Sequence, residues 1–234
     1  MAKYPSSSSE VDRRKFLHGA LSGAVVGLGA RATFGLPSAG SRPLQSNLSP
    51  DAALQELIAG NKRFAANQLT SIAHVLVILK EHTVEKQEPF AAVLSCADSR
   101  VPVELVFDQT IGHIFVTRVA GNIVTPEIIG SLEYGVAVLG IKALLILGHT
   151  SCGAVKAAMK ADSVPGQISV LYKHLQPAVE RSNGKVDQAI EANARIQAEL
   201  LRSSSTVIRD AIKADKLKVA AGVYDLSTGV VTLS

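Results

Sequence analysis

"KALLILGHTSCGAVKAAMKA", residues 142–161, is the stretch on which the fold turns. Between Lys142 and Gly148 it holds only Ala, Leu and Ile. An unbroken apolar run of this length predicts a strand covered on both faces, as in a parallel sheet flanked by helices. From Cys152 onward the composition changes and predicts a helix. A strand passing through a short turn into a helix is the repeating unit of parallel α/β architecture. In such sheets function gathers at the carboxyl ends of the strands. This strand ends in His149, with Cys152 three residues beyond.

The flanking sequence agrees. "PFAAVLSC", residues 89–96, reads as a buried strand, and "HIFVTRVAGN" from His113 as a second one ending at Gly121-Asn122. Thr125-Pro126-Glu127 starts a helix whose apolar face runs through Leu132, Val136 and Leu139, and Gly140 stops it. Ser49, Pro50 and Asp51 start another, with Leu54, Leu57, Ile58 and Phe64 at helical spacing. A short helix is expected over residues 72–82 and a long helical stretch from about Val186 to Lys213. "KLKVAAGVYDLSTGVVTL", residues 216–233, predicts two closing strands joined by a Ser-Thr-Gly turn. The serine tracts at 6–9 and 203–205 read as solvated.

The chain has 234 residues, 47% apolar and 4% aromatic, without tryptophan. That suits one domain with a core of Ala, Val, Leu and Ile. Its pI near 9.1 would hint at nucleic acid, but residues 1–48 hold six basic groups (Lys3, Arg13, Arg14, Lys15, Arg31, Arg42) and two acidic ones (Glu10, Asp12). The remainder carries 18 of each sign, so no basic face is expected on the folded domain.

Arg13-Arg14-Lys15-Phe16-Leu17, followed by an apolar run over 20–30, resembles a twin-arginine export signal. The run falls short of the roughly 20 apolar residues a spanning helix needs. Ala30-Arg31-Ala32 and Pro37-Ser38-Ala39 are candidate cleavage sites. Residues 1–40 are therefore read as signal peptide and linker, 41–234 as the functional domain. An exported, periplasmic protein is expected, with a thylakoid lumen as the other compartment, and contact with a membrane only through the signal.

The two cysteines of the chain, Cys96 and Cys152, both follow apolar runs. With His149 they form a soft three-ligand set suited to Zn²⁺, and three protein ligands with a fourth position open is the catalytic pattern. A Cys96–Cys152 disulfide and two inert buried thiols are the other readings of the spacing. Cys96, Asp98 and Arg100 share one face of an extended segment. Asp98 would either fill the fourth metal position or pair with Arg100.

"SCADSRVP" together with "GHTSCGAV" resembles the β-class carbonic anhydrases, and "FVTRVAGNIV" and "SLEYGVAVLG" fit the same pattern. The resemblance covers residues 50–232. It implies a mostly parallel four-stranded sheet flanked by helices, with an added edge strand near the C-terminus. It implies a homodimer or higher homo-oligomer that reversibly hydrates CO₂ to bicarbonate through a zinc-bound hydroxide. Zinc ligands fall on Cys96, His149 and Cys152, and the catalytic pair on Asp98 and Arg100. Substrate contacts fall on Gln87, Phe115, Tyr134 and the Gly153 backbone, with Gln87 reaching the site from near the partner subunit. Ala97 stands where serine is common. Val93 stands where members inhibited by bicarbonate carry tryptophan, which implies the open-site type. A scaffold relative hydrolysing CS₂ or COS, and a non-catalytic zinc protein, are the alternatives. His113 is a conceivable proton shuttle or a half-buried strand residue.

Overall fold

The computed structural model describes residues 46–70, 84 and 86–234. The export-signal segment and the helix expected over 72–82 lie outside the described residues.

Helix α1, Pro50–Ala65, begins where its capping residues direct: the Ala52 amide donates to Ser49 Oγ at 3.2 Å, and Pro50 occupies the first turn. Four strands run parallel: β1 (Ala91–Ser95), β2 (Ile114–Arg118), β3 (Ala143–His149) and β4 (Lys218–Tyr224). The short β5 (Val231–Leu233) closes the sheet antiparallel to β4, in the order β2-β1-β3-β4-β5. The helices are α2 (Val103–Val106), α3 (Pro126–Tyr134), α4 (Gly153–Lys160), α5 (Tyr172–Glu180), α6 (Val186–Ser204) and α7 (Thr206–Lys213).

All seven residues of β3 are buried, as the apolar run requires. Alternation then sorts them. Leu145 and Leu147 join Ala91 and Val93 against Leu54 and Leu57 of α1 and Val103 and Val106 of α2. Leu144 and Ile146 join Ala92 and Leu94 against Leu132, against Ala194, Ala198 and Leu201 of α6, and against Ile208 of α7. Each fully buried leucine or isoleucine contributes roughly 1.5–3 kcal/mol.

Three details depart from the sequence expectation. The long helical stretch is two helices, broken at Ser205, whose backbone is extended at φ −105°, ψ 120°. Ser205 is not solvated but 1% exposed. Its hydroxyl accepts from the Ile208 amide and donates to Glu133, capping α7 and tying it to α3. Second, α3 continues into a π-type turn, Gly135–Leu139, before Gly140 ends it in left-handed geometry at φ 71°. Third, α5 forms with Pro177 inside it, in a region where no helix was expected.

Helix α1 lies close on the backbone after α2. A Cβ at Gly60 would fall 1.8 Å from the Phe107 carbonyl oxygen, so only glycine permits this approach. The next residue, Asn61, is 2% exposed. It donates to the Val106 and Gly229 carbonyls at 3.1 and 2.8 Å and accepts from the Val231 amide at 2.7 Å. The last bond satisfies an outward N–H of edge strand β5, which would otherwise invite pairing by another chain. Asn61→Leu would strand three buried backbone groups and lower unfolding stability by about 3 kcal/mol, read as a fall in urea midpoint at unchanged slope.

Candidate metal centre

Parallel pairing sets the site. Ser95 lies opposite Leu147 of β3 and Arg118 of β2. Cys96 therefore emerges beside the end of β3, whose last residue is His149. Ser151, in left-handed geometry at φ 59°, turns the chain so that Cys152 caps α4. The ligand atoms of Cys96, His149 and Cys152 all lie within 4.8 Å of one another, and all three residues are buried.

The two sulfurs are 4.0 Å apart. A tetrahedral zinc with bonds of about 2.3 Å would set them at about 3.8 Å. A disulfide requires about 2.05 Å, and both cysteines are free, which removes the disulfide reading. His149 Nδ1 lies 2.9 Å from the Thr150 carbonyl. A carbonyl only accepts, so Nδ1 carries the proton and Nε2 presents its lone pair. Nε2 is buried without a hydrogen-bond partner, an arrangement that would be costly unless an ion meets it. The donor set thus fits zinc.

The thiols differ electrostatically. The Cys96 sulfur accepts from the Cys152 thiol and, at 3.3 Å, from the Gly121 amide. These bonds, with the neighbouring His149 ring, draw its pKa well below the usual thiol range against the opposing effect of burial. Cys152 is pushed up, first by donating to Cys96 and then by burial.

Asp98 sits beside this set, its carboxylate held by Arg100. Its carboxylate accepts from Arg100 Nε at 2.9 Å, Arg100 Nη2 at 2.8 Å and the Arg100 amide at 3.0 Å. The Arg100 guanidinium holds it well below the usual carboxylate range. One carboxylate oxygen still comes within 3.7 Å of His149 Nε2. Arg118, which sequence reading missed, donates to the Cys96 and Asp98 carbonyls at 3.0 and 2.5 Å. Its place at the end of "FVTR", on the strand next to β1, was the available signal.

The expected substrate contacts divide. Gly153 opens α4 beside Cys152, with open space where a Cβ would sit. Phe115 pairs in register with Ala92, about 10 Å of strand before the Arg118 end. Its ring lies 6.3 Å from that of Tyr134. Gln87 is exposed and precedes β1, whose length separates Phe90 from Cys96 by about 20 Å. The fold thus brings Phe115 and Tyr134 together, yet sets them and Gln87 toward the opposite ends of the strands from Cys96 and His149. His113 likewise precedes β2, where its carbonyl accepts from the Phe90 amide.

A parallel α/β sheet with a buried Cys₂His cluster at its carboxyl edge is the arrangement of a metal-binding protein. Residues 91–231 match the carbonic anhydrase family. Carbonic anhydrase 2 of Mycobacterium tuberculosis is 33% identical over 195 residues, spanning 78% of this chain and 92% of that protein. The carbonic anhydrase of Mycolicibacterium smegmatis is also 33% identical, over 80% and 94%. The Coccomyxa β-carbonic anhydrase, solved with acetazolamide, superposes with a TM-score of 0.61 at 26% identity, covering 77% of this chain and 85% of that one. The chain belongs to the carbonic anhydrase family, in its β class. It is a zinc enzyme that interconverts CO₂ and bicarbonate.

After removal of zinc by chelation, ultraviolet absorbance should report one thiolate per chain at neutral pH. Because the Cys96 pKa is depressed, that thiolate should persist as pH falls well below the ordinary thiol range. Two neutral thiols at pH 7 would refute this asymmetry.

Proposed function

We propose that Cys96, His149 and Cys152 hold the zinc and that Asp98 and Arg100 orient the reaction CO₂ + H₂O ⇌ HCO₃⁻ + H⁺. The observation that carries this reading is the two-point grip of Arg100 on Asp98, which keeps the carboxylate off the fourth metal position. Bound there, zinc supplies a nucleophile near neutrality by lowering the pKa of a water to about 7. Asp98 stays ionised and can only accept a hydrogen bond, so it fixes which way that nucleophile's O–H points and turns a lone pair toward the carbon. CO₂ offers little to hydrogen-bond and is held by apolar side chains. The Gln87 amide donates to the oxygen on which charge develops. The proton leaves to solvent.

Gln87, Phe115 and Tyr134 would meet the metal centre only from a second copy, which supports a homodimer as the working unit. The Arg13-Arg14 signal directs export, with the periplasm as destination. Replacing both arginines by lysine should leave the activity in the cytosolic fraction.

Stopped-flow CO₂ hydration with zinc counted, across a pH series, tests the open site. Turnover rising with a single ionisation at one zinc per chain is expected. Activity confined to alkaline pH would mean that Asp98 occupies the metal, and full zinc without hydration would overturn the catalytic reading. Asp98→Asn should lower kcat/KM by about 100-fold with zinc content unchanged.

A further inference from the structure

Helix α6 presents Ala189, Ile190, Ala194, Ala198 and Leu201 to the core. In the same buried row stand two amides, Asn193 and Gln197, each 1% exposed. Burying an amide is unfavourable unless its hydrogen bonds are replaced, and here they are. Gln197 Oε1 accepts from the Val124 amide at 2.8 Å. Its Nε2 donates to the His174 carbonyl at 3.2 Å and to Asn193 Oδ1 at 3.1 Å. Asn193 Nδ2 donates to the Gly121 carbonyl at 2.8 Å. Both amides therefore converge on one turn, residues 121–124.

That turn touches the metal centre. The Gly121 N–H points at Cys96 Sγ from 3.3 Å. Gly121 holds φ 75° and Asn122 φ 42°, two successive left-handed residues. Glycine has no side chain to prefer this conformation over others, so neighbours must impose it. Leu175 of α5 and Ala154 of α4 close the space where a Cβ would sit, at 3.2 and 3.4 Å. Packing blocks one side of the turn, and the hydrogen bond from Asn193 fixes the carbonyl on the other.

We infer that Asn193, braced by Gln197, is a positioning residue for the metal centre: it locks Gly121 so that its N–H stays on the sulfur of Cys96. An N–H···S bond withdraws charge from a ligating sulfur and fixes its direction, and partners of this kind control how firmly a metal is kept. This inference rests on the zinc assignment of Cys96.

The test uses zinc-loaded full-length enzyme and two readouts besides activity: the rate of zinc transfer to a chelator, and the sulfur-to-metal absorption band of the cobalt-substituted enzyme. Asn193→Leu, close in shape but without the donor, should release zinc about tenfold faster or more and shift the band. Gln197→Met should move both readouts the same way by less, because the bond from Asn193 to Gly121 remains, and it carries the test if Asn193→Leu does not fold. Asn61→Leu, an equally buried amide bonded away from this turn, should destabilise the chain and leave both readouts unchanged. Release from Asn193→Leu within about twofold of the parent, or equal acceleration by Asn61→Leu, would overturn the inference alone. A parent enzyme without zinc would instead overturn the metal assignment on which it stands.

Discussion

The pairing of β1 with β3 is the constraint on which everything else depends. Only the register that sets Ser95 opposite Leu147 brings Cys96 to the level of the strand end at His149. A slip of one residue would turn Ala92 and Leu94 from the α6 face to the α1 face and carry Cys96 away from His149. The apolar alternation of both strands forbids this, since each face already has its partners. Core packing and ligand geometry are therefore fixed by the same contacts. That explains why the three candidate ligands need so little local machinery: one carbonyl for His149, one left-handed turn before Cys152, one amide for Cys96.

The strand ends were legible because their signal is local. Runs such as "AVLS" and "ALLILGH" can hardly be read otherwise, and the helix starts at Ser49 and Thr125 follow from capping chemistry. Spacing left the two cysteines three readings, the resemblance selected the metal one, and the fold brings Cys96, His149 and Cys152 within 4.8 Å of one another. What was not legible depends on distance in sequence. Ser205 looked like one serine of a solvated tract, and only its contact with Glu133, 72 residues away, reveals a buried cap. Asn193 and Gln197 lie in a stretch read only as helical, and nothing in their sequence neighbourhood says that the turn at 121–124 will lie beneath them.

The placement of Phe115, Tyr134 and Gln87 was illegible for another reason. Their residue types carry no information about where they act. The resemblance alone named them, and a parallel sheet has two ends. Residues before β1 and early in β2 belong to one end, while Cys96 and His149 belong to the other. One sheet of this topology cannot bring both ends to one pocket, which is why the proposed pocket calls on a second copy.

The position of Asp98 is decided by energy rather than by distance. At 3.7 Å from His149 Nε2, the carboxylate needs only a small movement to join the ligand set. Arg100 is half-exposed, so solvent screens its ion pair and the pair alone is a weak restraint. The backbone adds to this. The Arg100 amide bonds the same carboxylate, and Arg118 holds the carbonyls of Cys96 and Asp98 from the adjacent strand. Moving the Asp98 carboxylate toward the metal would break its bonds to the Arg100 amide, Nε and Nη2 together. It would also crowd a third anion against two sulfurs. Two arginines at neighbouring strand ends thus do separate work, one holding the carboxylate and the other the loop that carries it.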